Sequence, residues 1–278
     1  MNRYQNIAII ILNYMSYKET IRTADMMADR YGFGPDQIIV VDNASPNESA
    51  EELKAAAEGR FVFIPNDTNS GYAAGNNIGL RYARENGFEY AIVMNNDIFC
   101  EEDNLIDEIS SVFKKDESVA VVSTDVYGPD GHLFNRDSVR PSFYDYTFGM
   151  LGYRKKGRQL NELDGYSYIY RPNGCFMMCD LKKLEEINYM DEHTFLYFEE
   201  SILSERLSLA GYKCALAMNA RVIHENSKTV LSVLKYRKIR KIQAKSLNYL
   251  LREYRGFGKP KRVMCVAFHT LKLIMMGQ

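Results

Sequence analysis

The chain has 278 residues, 46% hydrophobic and 26% charged, an ordinary globular balance that is long enough for one large α/β domain with an appendage. Five scattered cysteines without a CxxC pair argue against a zinc site or a disulfide framework and fit reduced thiols in the cytosol. The formal charge of −1 hides an asymmetry: from Lys228 to Gln278 thirteen Lys or Arg face the single acid Glu253, a net +12, leaving −13 on the other residues.

In chain order, Ile7 to Leu12 is a β-branched run ending on Asn13-Tyr14 and predicts a first strand, too short and too continuous with the fold to be a signal peptide. Ser16-Tyr17-Lys18-Glu19 has the capping-box pattern, so a helix should run to about Tyr31 and stop at Gly32. Gln37 to Val41 reads as the second strand, closing on Asp42-Asn43. Ser49-Ala50-Glu51-Glu52 offers a second capping box, and Phe61 to Ile64 a third strand. A Gly/Asn-rich turn from Asn69 to Asn77 then leads into a helix ending near Gly87.

Tyr90-Ala91-Ile92-Val93-Met94 runs directly into Asn95-Asn96-Asp97. A continuous apolar run ending in polar residues suits a buried strand of a parallel sheet, and ligands gather at the carboxyl ends of such strands. Asn13, Asp42, the Asn66–Asn69 loop and Asp97 all fall at strand tips, so a ligand edge is expected there. Oxygen ligands at Asn95 and Asp97 suit a divalent cation beside phosphates. Gly71 and Gly75, with Asn76, permit close backbone approach at a helix N-terminus, which favours anions. Glycines at 71, 75 and 79 are not the GxGxxG spacing of a dinucleotide site.

Beyond this edge the sequence predicts a helix over Asp103–Lys115 and a strand over Val119–Ser123. Residues 125–170 lose periodicity and gain Tyr, Gly and Arg, as functional loops do. The sheet should resume near Tyr168, with a buried strand from Gly174 to Met178. Short helices follow over Leu181–Ile187 and Glu199–Ala210, then final strands over Lys213–Ala217 and Arg221–Ile223, ending at His224. Leu231 to Tyr254 reads as a basic amphipathic helix, and Val263 to Met276 as a more apolar one. The division is an α/β domain over 1–227 and a helical extension over 228–278.

In this order and spacing, five pieces resemble a known family: Ile10-Ile11-Leu12-Asn13-Tyr14, Val40-Val41-Asp42-Asn43-Ala44-Ser45, Asn69 through Asn77, Met94-Asn95-Asn96-Asp97, and Phe198-Glu199-Glu200 through Arg206-Leu207. Together they resemble family 2 inverting glycosyltransferases of the GT-A fold, most of all their rhamnosyltransferase-like branch, over about residues 6–226. The resemblance implies a Rossmann-like, mostly parallel sheet with helices on both faces. It also implies a dTDP- or UDP-linked sugar donor and a divalent cation, Mg2+ or Mn2+. Asp97 matches the metal-binding acid, and Asn95 stands where the family has its first Asp. Asp42 and Asn13 match the positions that reach the base, while Asn69, Gly71, Gly75, Asn76, Asn96 and Gly174 fall among donor-binding positions. His224 matches a histidine often near the metal or diphosphate.

Glu199 and Glu200 match the acidic pair that supplies the base. Glu200 is the favoured base, although Ile202 replaces a further acid of the family. Arg171 and Asn173 precede the pair, where relatives line the acceptor and donor-sugar pocket. Tyr144, Tyr146, Tyr153, Tyr166, Tyr168 and Tyr170 suit either sugar stacking or packing. The acceptor would be a glycan or a lipid-linked glycan of bacterial cell-surface polysaccharide synthesis. The basic tail has three candidate partners: an anionic membrane surface at the cytoplasmic face, the acidic body, or a second copy in a homodimer. No nucleic-acid motif accompanies the charge. Two rivals share parts of the pattern. A sugar nucleotidyltransferase needs a Gly-rich basic loop after the first strand, and Asn13-Tyr14-Met15-Ser16 lacks one. A catalytically silent nucleotide- or glycan-binding module is motivated by Asn95 and Ile202.

Overall fold

A computed structural model describes residues 3–134, 136–151, 160–225 and 236–276. The expected boundary between 227 and 228, the expected helix start at Leu231, and Tyr153 lie outside the described residues. The first half is built from β1 (Ile7–Asn13), α1 (Tyr17–Tyr31), β2 (Ile38–Asp42), α2 (Ser49–Ala56), β3 (Val62–Pro65), α3 (Tyr72–Glu85) and β4 (Tyr90–Met94). Its strands pair in parallel in the order β3-β2-β1-β4. Every residue of β2 and almost every residue of β1 is buried, as a sheet covered on both faces requires. Alternation divides β1 between two cores: Ile9 and Ile11 join Met27 of α1, and Ala8 and Ile10 join Leu80 of α3.

The second half adds β5 (Ile98–Phe99), α4 (Leu105–Lys115), β6 (Val119–Tyr127), β7 (Tyr166–Ile169), β8 (Phe176–Asp180), α5 (Leu181–Glu186), α6 (Glu199–Leu209) and β9 (Lys213–His224). Here the sheet turns mixed. β8 runs antiparallel between β4 and β6, while β9 is parallel to β6 and antiparallel to β5 and β7. β9 is one strand where the sequence suggests two. Its register against β6 jumps from Thr124↔Ala217 to Asp125↔Arg221, so Met218-Asn219-Ala220 bulges out and breaks the alternation.

Neither expected capping box forms. Gly32 does end α1 at φ +72, with its N–H on Ala28 O, but Ser16 caps nothing. Ser49 lies inside α2, its buried hydroxyl without a partner among the described residues. The chain closes with α7 (Tyr236–Glu253) and α8 (Lys259–Met275), an antiparallel hairpin. It is tied by a His269 Nε2–Gln243 Oε1 contact of 2.7 Å and a bond from Arg262 Nε to Asn248 Oδ1 of 3.1 Å. Leu247, Leu251 and Cys265 bury its inner face against Tyr146, Phe143 and Phe198. No described helix is long and apolar enough to cross a membrane.

Candidate functional site

Parallel register sets the tips of β1 and β2 side by side, with Asn13 opposite Asp42. Both side chains are buried and bonded: Asn13 Nδ2 donates to Asp42 Oδ1 at 2.6 Å. Ser45 Oγ donates to the same oxygen at 2.6 Å, and Ser45 N donates to Asp42 Oδ2 at 3.0 Å. Three of the roughly four lone-pair sites of a carboxylate are thus filled, leaving one on Oδ2. Thr20 Oγ1 donates to Asn13 Oδ1 at 2.7 Å and accepts from Asn96 Nδ2 at 2.8 Å, joining these tips to the loop after β4.

That loop divides its three polar residues. The Asn96 amide also reaches Ser16 Oγ at 2.7 Å, and Thr23 Oγ1 donates to Asn96 O at 2.8 Å. Asn96, expected among the donor-binding residues, is therefore held by α1 and anchors the loop. Asp97 meets His224, whose Nε2 lies 3.1 Å from Asp97 Oδ2. The short β5 makes this meeting, since Ile98 pairs with His224 across the antiparallel ladder and Glu225 N donates to Asp97 O. Asn95 lies on the opposite side, its backbone N–H on Cys175 O of the segment entering β8 and its Oδ1 3.5 Å from the Tyr72 hydroxyl.

The turn into α3 is built differently from the expectation. Gly71 has φ +105, and a Cβ there would lie 2.2 Å from the Phe195 carbonyl oxygen, so only glycine fits. The Tyr72 N–H, first of the helix, already donates to that oxygen at 2.9 Å, and Asn69 Oδ1 accepts from Gly71 N at 3.1 Å. This N-terminus is joined to the 191–198 segment and keeps fewer N–H groups for an anion than a bare helix end. Gly75 is a packing glycine, where a Cβ would lie 2.6 Å from Leu12 Cδ1; Asn76 Nδ2 donates to Tyr72 O within the helix.

The Tyr72 hydroxyl donates to Gly174 O at 2.6 Å. Gly174 in turn makes room for Glu200: a Cβ at 174 would stand 2.4 Å from Glu200 Oε1. Glu199 and Glu200 open α6 after two consecutive residues in the left-handed region, Tyr197 at φ +72 and Phe198 at +70, a costly turn that packing must hold. Glu199 is buried, and its Oε1 has no hydrogen-bond partner among the described residues. Burial first, then the Glu200 charge, push its carboxyl up to about 8, so it carries a proton at neutral pH. Glu200 is the more exposed of the pair. Burial opposes the charge of Arg171, but the Glu200 and Asp137 carboxylates outweigh it and hold the guanidinium above its ordinary range.

The thiol of Cys175 is held up by burial and then by the charges of Asp97 and Glu200, so both carboxylates stand within electrostatic reach of it. Asp97–His224 and Tyr72–Gly174–Glu200 therefore flank the start of β8. Beside them a small cavity, bordered by Thr124, Asp125, Arg136, Asp137, Arg171 and Asn173 together with Val126, Phe134, Ile169 and Leu216, has room for about one water. The aromatic row contributes elsewhere: the hydroxyls of Tyr166 and Tyr168 reach Asp116, and that of Tyr170 reaches Glu205.

Sequence reasoning missed Ser16, Thr20 and Thr23, Ser45 as partner of Asp42, and Tyr72 as a bridge. Thr20 and Thr23 lie on the buried face of α1 with Ala24, Met27 and Tyr31. Hydroxyls at core positions of an amphipathic helix are the signal that could have found them.

A family model described as glycosyl transferase family 2 matches residues 8–186. The chain is 25% identical over 200 residues to the low-salt glycan biosynthesis hexosyltransferase Agl10 of Haloferax volcanii, covering 70% of this chain and 59% of that protein. It is also 25% identical over 198 residues to the O-antigen chain rhamnosyltransferase WbaN of Salmonella anatum, covering 70% and 58%. It thus spans less than two thirds of either relative. Among solved structures, the mannosyltransferase PcManGT from Pyrobaculum calidifontis, in complex with GDP-Man and Mn2+, superposes with a TM-score of 0.60 at 14% identity, covering 96% of this chain and 69% of that one. TarS 1-349 of S. aureus, in complex with UDP-GlcNAc, gives 0.58 at 11%, covering 98% and 73%. The fold is the one these transferases share, the expected GT-A architecture.

Proposed function

The chain belongs to glycosyl transferase family 2, and we propose that it is a metal-dependent inverting glycosyltransferase. It would move a sugar, foremost a rhamnose-like deoxyhexose, from a dTDP- or UDP-linked donor to a glycan or lipid-linked acceptor of cell-surface polysaccharide synthesis. The relative WbaN favours the deoxyhexose, and the remaining lone pair of Asp42, beside Asn13, favours a pyrimidine base. Five buried, unpaired cysteines favour a cytoplasmic site of action.

The observation that carries the reading is the unequal carboxylate pair of α6. Inversion by single displacement requires the acceptor hydroxyl to lose its proton as its oxygen bonds the anomeric carbon and the diphosphate leaves. Burial and the neighbouring Glu200 charge raise the proton affinity of Glu199, which favours Glu200 as the ionised member of the pair. Glu200 is the more exposed of the two and packs against the Gly174 backbone. Arg171 lies within electrostatic reach of Glu200 and is proposed to border the acceptor.

Asp97 and His224 fit a divalent cation, since a carboxylate and an imidazole converge at 3.1 Å. Among the described residues no third His, Cys, Asp or Glu joins them, so diphosphate oxygens and water would complete the shell. This mixed N/O donor set suits Mn2+ better than Mg2+. Such an ion supplies Lewis-acid neutralisation of the leaving diphosphate. Thermal shift with UDP, dTDP and GDP, with and without Mn2+, tests the donor side. One pyrimidine diphosphate with Mn2+ should raise Tm by about 5 °C at saturating concentration. The Mn2+ increment should vanish in Asp97→Ala. A preference for GDP would overturn the pyrimidine reading, and no response to any nucleotide would overturn the proposal.

A further inference from the structure

The α7–α8 hairpin buries one face of each helix against the body and exposes the other. On α7 the buried row is Ile239, Leu247, Leu250 and Leu251, and the exposed row opposite it is Lys238, Lys241 and Lys245. Spacings of 3 and 4 put these lysines on one stripe. On α8 the buried row is Cys265, His269 and Leu273, whereas Val263, Ala267, Leu271, Ile274 and Met275 form the exposed row. Val263, Leu271, Ile274 and Met275 are between 47% and 71% exposed, although they are large and apolar. Over 236–276 eleven Lys or Arg face one acid, Glu253.

The apolar row continues over three helical turns beside a row of lysines, and contiguous exposed apolar surface rimmed by charge marks an interaction site. We propose that the outer face of this hairpin docks on an anionic lipid bilayer. The α8 row enters the headgroup boundary and the α7 lysines meet the lipid phosphates. Charge complementarity selects this occupant. A second copy would set lysine row against lysine row across a two-fold axis, and the hairpin's single acid, Glu253, is already paired with Arg252. The docking face does not depend on the proposed reaction.

Co-sedimentation of the full chain with phosphatidylcholine vesicles, alone or mixed with phosphatidylglycerol, tests this. Binding should need the anionic lipid and weaken with salt. Leu271→Asp with Ile274→Asp, and separately Lys238→Glu with Lys241→Glu and Lys245→Glu, should each lower partitioning by about tenfold or more. Thermal stability should stay unchanged, because both rows are exposed. Failure of the wild type to bind anionic vesicles would overturn the proposal, as would undiminished binding by both variants. So would a dimer in light scattering that the Leu271→Asp, Ile274→Asp variant abolishes.

Discussion

At the scale of single residues, the difference between Glu199 and Glu200 has two measurable consequences. The folded chain keeps the Glu199 proton to about pH 8, whereas the unfolded chain sheds it near its ordinary value of 4.5. The folded state therefore binds more protons across that window, and stability falls as pH rises from about 4.5 to about 8. Glu199→Gln removes this contribution, which has a slope of up to about 1.4 kcal/mol per pH unit. Urea midpoints at pH 5.5 and 7.5 should diverge less in the variant; equal divergence would show that Glu199 ionises freely. Gly174 offers a second test, because its φ is not in the left-handed region and the three atoms nearest a new Cβ all belong to the Glu200 side chain. Gly174→Ala should cut kcat about tenfold or more through displacement of the carboxylate, with donor affinity kept. Loss of donor affinity instead would place Gly174 against the donor.

At the scale of elements, the C-terminal hairpin supports the segment that delivers the acidic pair. Ser246 Oγ donates to Leu196 O at 2.9 Å, and the hydroxyls of Tyr249 and Tyr254 both donate to Asp191 Oδ2. The His269 ring meets Phe198 edge-on, with centroids 5.6 Å apart. Two successive left-handed residues need such support. Tyr249→Phe with Tyr254→Phe should cost about 3–6 kcal/mol, the range for two hydrogen bonds to a buried charge. It should also lower kcat more than donor affinity; unchanged stability and turnover would make the contacts incidental. The sequence reads well where chemistry is local. β1 to β4 are β-branched runs between breakers, and their tips carry Asn13, Asp42 and Asp97 in plain view. It reads poorly where a partner distant in sequence decides. Ser16 looks like a cap, yet its hydroxyl is taken by Asn96, 80 positions away. β5 has two residues and no pattern of its own, yet it brings His224 to Asp97. Gly71 and Gly75 look like an anion loop, but their missing side chains make room for Phe195 and Leu12.

At the scale of the whole molecule, one sheet edge brings together the tips of β1, β2 and β4, the start of β8 and α6, and the β5–β9 pairing that joins His224 to Asp97. An acidic body with a basic hairpin at its end would give the chain the two faces proposed above, one for chemistry and one for attachment. The proposed transferase uses Glu200 as base, whereas a silent binding module would keep the same fold. The most direct measurement is Mn2+-dependent turnover of the preferred nucleotide sugar by wild type and by Glu200→Gln, with donor affinity measured on both. The expected result is turnover in the wild type, a loss of about a thousandfold or more in Glu200→Gln, and donor affinity unchanged within about threefold. Full turnover by Glu200→Gln, or none by a wild type that binds its donor, would rule out Glu200 as the base of a transferase.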